Sequence, residues 1–86
     1  MGNQDLQALI KTRHRDMAER VKKEIEHWEH SISVYEKLLE DSTRMFEEYG
    51  DEIFRKCMEW DAENIAFFKK MLAEDMKQLE AYGSEQ

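Results

Sequence analysis

Apolar side chains recur every three or four residues along most of this chain, through Met17, Val21, Ile25, Trp28, Ile32, Tyr35, Leu39, Phe46, Tyr49, Ile53, Cys57, Trp60, Phe67, Met71, Leu72, Leu79 and Tyr82. Steps of three and four put side chains on one face of an α-helix. A helix with so long a stripe cannot bury it against itself. The sequence therefore demands helical partners, either by folding back or by association.

Composition agrees with helix and narrows the function. The 86 residues include no proline and three glycines, two of them near the ends. With 41% hydrophobic and 38% charged residues, no stretch approaches the roughly 20 apolar residues that a bilayer span needs. No charged segment followed by an apolar run opens the chain, so a signal peptide is not expected, and the single cysteine offers no intramolecular disulfide. A cytosolic compartment is the expectation. A net charge of -7 argues against nucleic acid as the main partner. The charge is uneven: residues 11–23 hold six cations against two carboxylates, a local +4, so the remainder carries -11.

The pattern predicts a single all-α unit over residues 1–86, helical from 5 to 82, with frayed ends, Asn3 or Asp5 as N-cap and Gly83 as the residue after the last turn. Two places offer a break: Glu40, Asp41, Ser42 and Thr43, and then Tyr49, Gly50 and Asp51, where Gly50 closes one helix and Asp51 caps the next. The seam keeps its phase across both, since Leu39, Ser42, Phe46, Tyr49 and Ile53 follow at steps of three and four. That favours one very long amphipathic coiled-coil helix of up to ~115 Å. The alternative is a two-helix antiparallel hairpin, turning within 40–51, that dimerises as a four-helix bundle. Beyond Cys57 the stripe widens into two rows: Trp60, Asn64, Phe67 and Met71, with Ile65, Phe68, Leu72 and Leu79 beside them. Two rows imply packing against at least two helices. The residues expected at a dimer or bundle interface are Trp28, Ile32, Tyr35, Leu39, Phe46, Ile53, Trp60, Phe67, Phe68, Met71, Leu72 and Leu79.

Three features carry chemistry. Lys11, Arg13, Arg15, Arg20, Lys22 and Lys23 form a basic stretch suited to anionic lipid, where each cation near the surface contributes on the order of 1 kcal/mol. They do not share one face, and as a solvated surface they would form pairs such as Asp16 with Arg20 and Glu19 with Lys23. His27 and His30 lie one turn apart beside Glu26, but no third and fourth metal ligand follows at helical spacing, so no metal or other cofactor is expected. Cys57 lies on the seam and reads as a buried, unreactive thiol. With no loop or pocket predicted to hold an acid-base pair, the expectation is a non-enzymatic protein without a small-molecule substrate.

Residues 23–36, KEIEHWEHSISVYE, resemble the start of the last long helix of sorting-nexin BAR domains, in which a Glu-Ile, a Trp-Glu and a Tyr-Glu pair recur at this spacing. Residues 53–72, IFRKCMEWDAENIAFFKKML, look like the later part of the same helix, and F-BAR proteins show a similar FRKC and FFK pattern. The resemblance covers about half the chain. It implies a fragment or truncated relative of a crescent-shaped helical dimer that senses or stabilises curved membrane, peripheral on endosomes, with no counterpart here to the phosphoinositide-binding PX domain. The expected partner is a second copy or a related helical chain. The alternative function is a small helical adaptor or regulator that acts through protein contacts alone.

Overall fold

Gly50 adopts φ +65°, a left-handed conformation that residues with a Cβ resist. Its N–H donates to the Phe46 carbonyl at 2.7 Å, closing the last turn of one helix. Asp51 then opens the next: its Oδ1 accepts the Ile53 N–H at 3.3 Å, and its carbonyl accepts the Phe54 N–H at 3.1 Å. In this computed structural model, which describes residues 2–84, the chain is all-α. Helix α1 spans Asn3–Tyr49, helix α2 spans Glu52–Ser84, and they pack against each other as an antiparallel hairpin. The long continuous helix is therefore interrupted, and the hairpin alternative is the arrangement formed. At Glu40, Asp41, Ser42 and Thr43 the helix continues unbroken, and the Thr43 hydroxyl donates back to the Leu39 carbonyl at 2.7 Å rather than capping a new helix.

The uninterrupted phase of the seam pointed away from this turn, and the structure shows why. On α1 the row facing α2 is Val21, Ile25, Trp28, Ile32, Tyr35, Leu39, Ser42 and Phe46. Carried past Gly50, that phase continues through Ile53, Cys57 and Trp60. The row of α2 that packs on α1 starts one residue later, at Phe54, and runs through Met58, Asp61, Ile65, Phe68, Leu72, Asp75, Leu79 and Tyr82, all buried or half-buried. The two-residue connection thus shifts the register and turns the in-phase row toward solvent.

The ends also differ from expectation. Gly2 caps α1 without a side-chain bond, so neither Asn3 nor Asp5 serves as N-cap, and α2 runs through Gly83 rather than stopping before it. Fraying is expected at residues 1–4 and 83–86, but residues 3, 4, 83 and 84 are helical, and Met1, Glu85 and Gln86 lie outside the described residues. Helix α1 has 47 residues and α2 has 33, so α1 alone accounts for the 71 Å length of a molecule only 15 × 14 Å across. Near the end of α2, Tyr82 ties it to α1: its ring lies 5.9 Å from that of His14 and its hydroxyl donates to Met17 Sδ at 3.8 Å. Residues 3–13 project beyond it as a single helix.

Because a Cβ on Gly50 would meet nothing within 4 Å, the cost of replacing it is conformational. Gly50→Ala should destabilise the hairpin by about 1 to 2 kcal/mol and Gly50→Asn by less, as read from urea unfolding followed by circular dichroism. Equal midpoints for wild type and Gly50→Ala would show that the chain does not reverse here.

Candidate interaction surface

Besides the Tyr82 contact, two hydrogen bonds to aspartates cross the seam between the helices among the described residues. Trp28 Nε1 donates to Asp75 Oδ2 at 2.8 Å, and Ser42 Oγ donates to Asp61 Oδ2 at 3.4 Å. Both acceptors sit in the interhelical row, with Asp61 6% and Asp75 7% exposed. A carboxylate so covered carries a desolvation cost that its hydrogen bonds must offset. The bonds therefore also set the register. Trp28 faces Asp75, Tyr35 faces Phe68 with ring centroids 5.1 Å apart, Ser42 faces Asp61, and Tyr49 faces Phe54 at 6.1 Å. Each step goes one heptad forward on α1 and one heptad back on α2. A one-heptad slip would set each aspartate opposite a new neighbour and leave the Trp28 N–H without its acceptor. Around the indole, Phe68 stacks at 5.8 Å and Phe67 meets it edge-on at 6.3 Å.

This seam encloses little. The apolar residues classed as buried are Val21, Ile32 and Ile65, and no described side chain is completely enclosed. Two helices form a single layer, and each has an outer side that the other cannot reach. On α2 that outer side holds the in-phase row: Ile53 is 60% exposed, Trp60 63% and Phe67 52%, with Cys57 exposed and Met71 half-buried. Leu38 of α1 lines a shallow groove with Ile53, Cys57 and Trp60, and the Ser42 and Asp61 pair forms part of its wall. Val34, 40% exposed, continues the apolar surface one turn before Leu38. Across the opposite side, Glu36, Glu40, Arg44 and Glu47 surround Leu39 and Thr43. One side of the hairpin is thus apolar and the other charged.

The accessible surface is 7090 Å² for 10.4 kDa, whereas a compact monomer of that mass would expose about 5,400 Å². Part of the excess comes from the elongated shape and part from the uncovered strip.

The residues expected at an interface therefore divide into two groups. Trp28, Ile32, Tyr35, Leu39, Phe46, Phe68, Leu72 and Leu79 belong to the row buried or half-buried between α1 and α2 of one chain. Ile53, Trp60, Phe67 and Met71 form the outer strip. Cys57 is exposed, which corrects the expectation of a buried thiol: its row faces away from α1. Lys11, Arg13, Arg15, Arg20, Lys22 and Lys23 are all exposed and spread around α1. His27 packs edge-on against Trp28 at 5.1 Å, and among the described residues no group of three or more His, Cys, Asp or Glu is placed to hold a metal ion. No described helix is long and apolar enough to cross a membrane. At the start of α2, Arg55 donates to Glu52 through Nε at 2.8 Å and also pairs with it through Nη2, while Nη1 reaches Glu59 Oε1 at 2.6 Å. The hydrogen bond from Arg55 holds the Glu52 carboxyl below its usual range, and an acid in the first turn suits the helix dipole.

Asp61 and Asp75 are absent from the residues expected at the interface. The signal was in the spacing: Asp61, Phe68 and Asp75 follow at whole heptads, with Ile65 and Leu72 between them. No family model matches the chain, and searches of curated proteins and of solved structures return no match.

The polar layers yield a measurable coupling. Trp28→Phe strands the Asp75 carboxylate and should cost about 1 to 3 kcal/mol. Combining it with Asp75→Leu should cost less than the two single changes together, by roughly 1 kcal/mol, in a double-mutant cycle by urea unfolding. Strict additivity would mean that the bond contributes nothing to the hairpin.

Proposed function

We propose that this chain is a non-enzymatic helical assembly module, an antiparallel hairpin that joins helical proteins through the apolar strip around Trp60. The observation that carries the reading is the division of α2 into two apolar rows, one used inside the hairpin and one left uncovered beside Leu38. A contiguous apolar patch on a small protein usually marks an interaction site, and its large aromatic residues are of the kind that anchor protein contacts. The turn at Gly50 supports this reading over a BAR-like arm, which calls for a longer uninterrupted helix.

The reading requires the strip to serve docking rather than folding. Ile53→Glu with Trp60→Glu should leave the helicity and urea midpoint of the monomeric hairpin within about 0.5 kcal/mol per site, measured by circular dichroism at dilutions where wild type and variant are both monomeric. A loss of several kcal/mol would place the strip in the core of the fold and contradict the reading.

One observation supports contact with membrane as a second reading. The projecting segment of α1 presents Leu6, Leu9 and Ile10, between 43% and 65% exposed, next to Lys11, Arg13 and Arg15. Apolar and basic residues on one helix suit the interface of an anionic bilayer. With the sorting-nexin resemblance, that contact would be peripheral and endosomal. Co-sedimentation with vesicles should then rise with the anionic fraction, fall with salt, and drop when Lys11 and Arg15 are changed to Glu. Absence of binding to strongly anionic vesicles at low salt would remove this reading.

A further inference from the structure

The side of α1 that carries Leu38 changes character along its length. Toward the N-terminus the same helical face holds Leu6, Ile10 and Met17, with Arg13 and Arg20 interleaved. Toward the turn it holds Leu38 with Asp41 and Glu48. Arg13 and Arg20 are one heptad apart, and so are Asp41 and Glu48. The wider charge follows the same gradient: residues 11–23 carry +4, whereas residues 37–63 hold nine carboxylates against four cations, a net -5. Two apolar surfaces also stand uncovered at opposite ends of this face, the projecting N-terminal segment and the strip near the turn.

We infer that the occupant of the strip is a second copy of this chain, laid end over end across a two-fold axis near Ser31; this rests on the reading of the strip as a docking surface. One rotation pairs both arginines with both carboxylates near the turn, while Glu24, one heptad beyond Met17 on the same face, falls level with Leu38. It brings Arg13 of each copy against Glu48 of the other, and Arg20 against Asp41. It also carries Met17 to the level of Trp60 and Ile10 to the level of Ile53, so apolar residues in the first third of α1 lie level with the turn end of the other copy's strip. Such an interface is self-complementary, as a two-fold dimer requires, and it completes a four-helix bundle. A stable interface covers about 800 Å² on each partner, within the roughly 1,700 Å² by which the chain exceeds a compact monomer of its mass. A parallel copy would instead bring two acidic turn ends to one level and the two pairs of arginines to another.

The orientation can be measured on the full chain. A Cys57→Ser, Glu47→Cys variant carries one spin label near the turn, on the charged side away from the strip. Double electron-electron resonance should give a label separation of about 50 Å, twice the distance from Glu47 to the axis at 1.5 Å per residue. A separation under about 25 Å, as two hairpins side by side in parallel would produce at 8 to 10 Å between helix axes, overturns the inference. Sedimentation supplies the second measurement. Arg20→Asp should weaken the dimer roughly tenfold, and adding Asp41→Arg should restore it; failure of the restoration also overturns the inference. A wild-type chain that stays monomeric at all concentrations rejects the second copy yet leaves the docking surface to a different helix. Association that persists at full strength in Ile53→Glu with Trp60→Glu rejects the docking surface itself.

Discussion

The hydrogen bond from Trp28 Nε1 to Asp75 Oδ2, 2.8 Å long, is the contact on which the rest of the hairpin depends. Apolar residues alone specify that two helices meet, but heptad-spaced leucines and isoleucines pack almost as well one turn out of place. A carboxylate that is 7% exposed does not tolerate such a slip, because it loses its donor while still removed from water. The Ser42 and Asp61 pair repeats the arrangement two heptads away. Together they align Tyr35 with Phe68 and hold the row of Asp61 and Asp75 inward, so that the row of Trp60 faces outward.

That outward side follows from a phase relation at the turn. Had α2 resumed in step with α1, Ile53, Cys57 and Trp60 would have packed inward and the row from Phe54 to Leu79 would have been the one left outside. Starting at Phe54 places the second row of α2 inside and leaves the first uncovered. The core loses little by this, since Phe54, Met58, Ile65, Phe68, Leu72 and Leu79 supply a full apolar row. What this leaves is an apolar strip on the outside, with Trp60 and Phe67 more than half exposed in the single chain.

Much of this was legible in the residues. The all-α class, the capping chemistry at Gly50 and Asp51, and the widening of α2 into two rows follow from composition and spacing. The decision between a straight and a reversed chain did not follow, because the in-phase seam from Phe46 to Ile53 suits a continuous helix equally well. Only the left-handed conformation at Gly50, coupled to pairing between residues 47 positions apart such as Trp28 and Asp75, resolves it. The same nonlocal pairing hid the two aspartates, which look like ordinary charged residues until the opposite helix supplies a donor. Cys57 was misplaced for a related reason: a residue on the seam is buried only if its own row is the one that packs.

The central claim is that each chain folds back on itself in a register set by the polar layers. Its most direct test is nuclear Overhauser spectroscopy on a sample mixing isotope-labelled and unlabelled chains, which separates contacts within a chain from those between chains. The account predicts intrachain cross-peaks between the rings of Tyr35 and Phe68 and between those of Tyr49 and Phe54. Cross-peaks found solely between chains, or a Tyr35 ring that meets residues one heptad from Phe68, would contradict it.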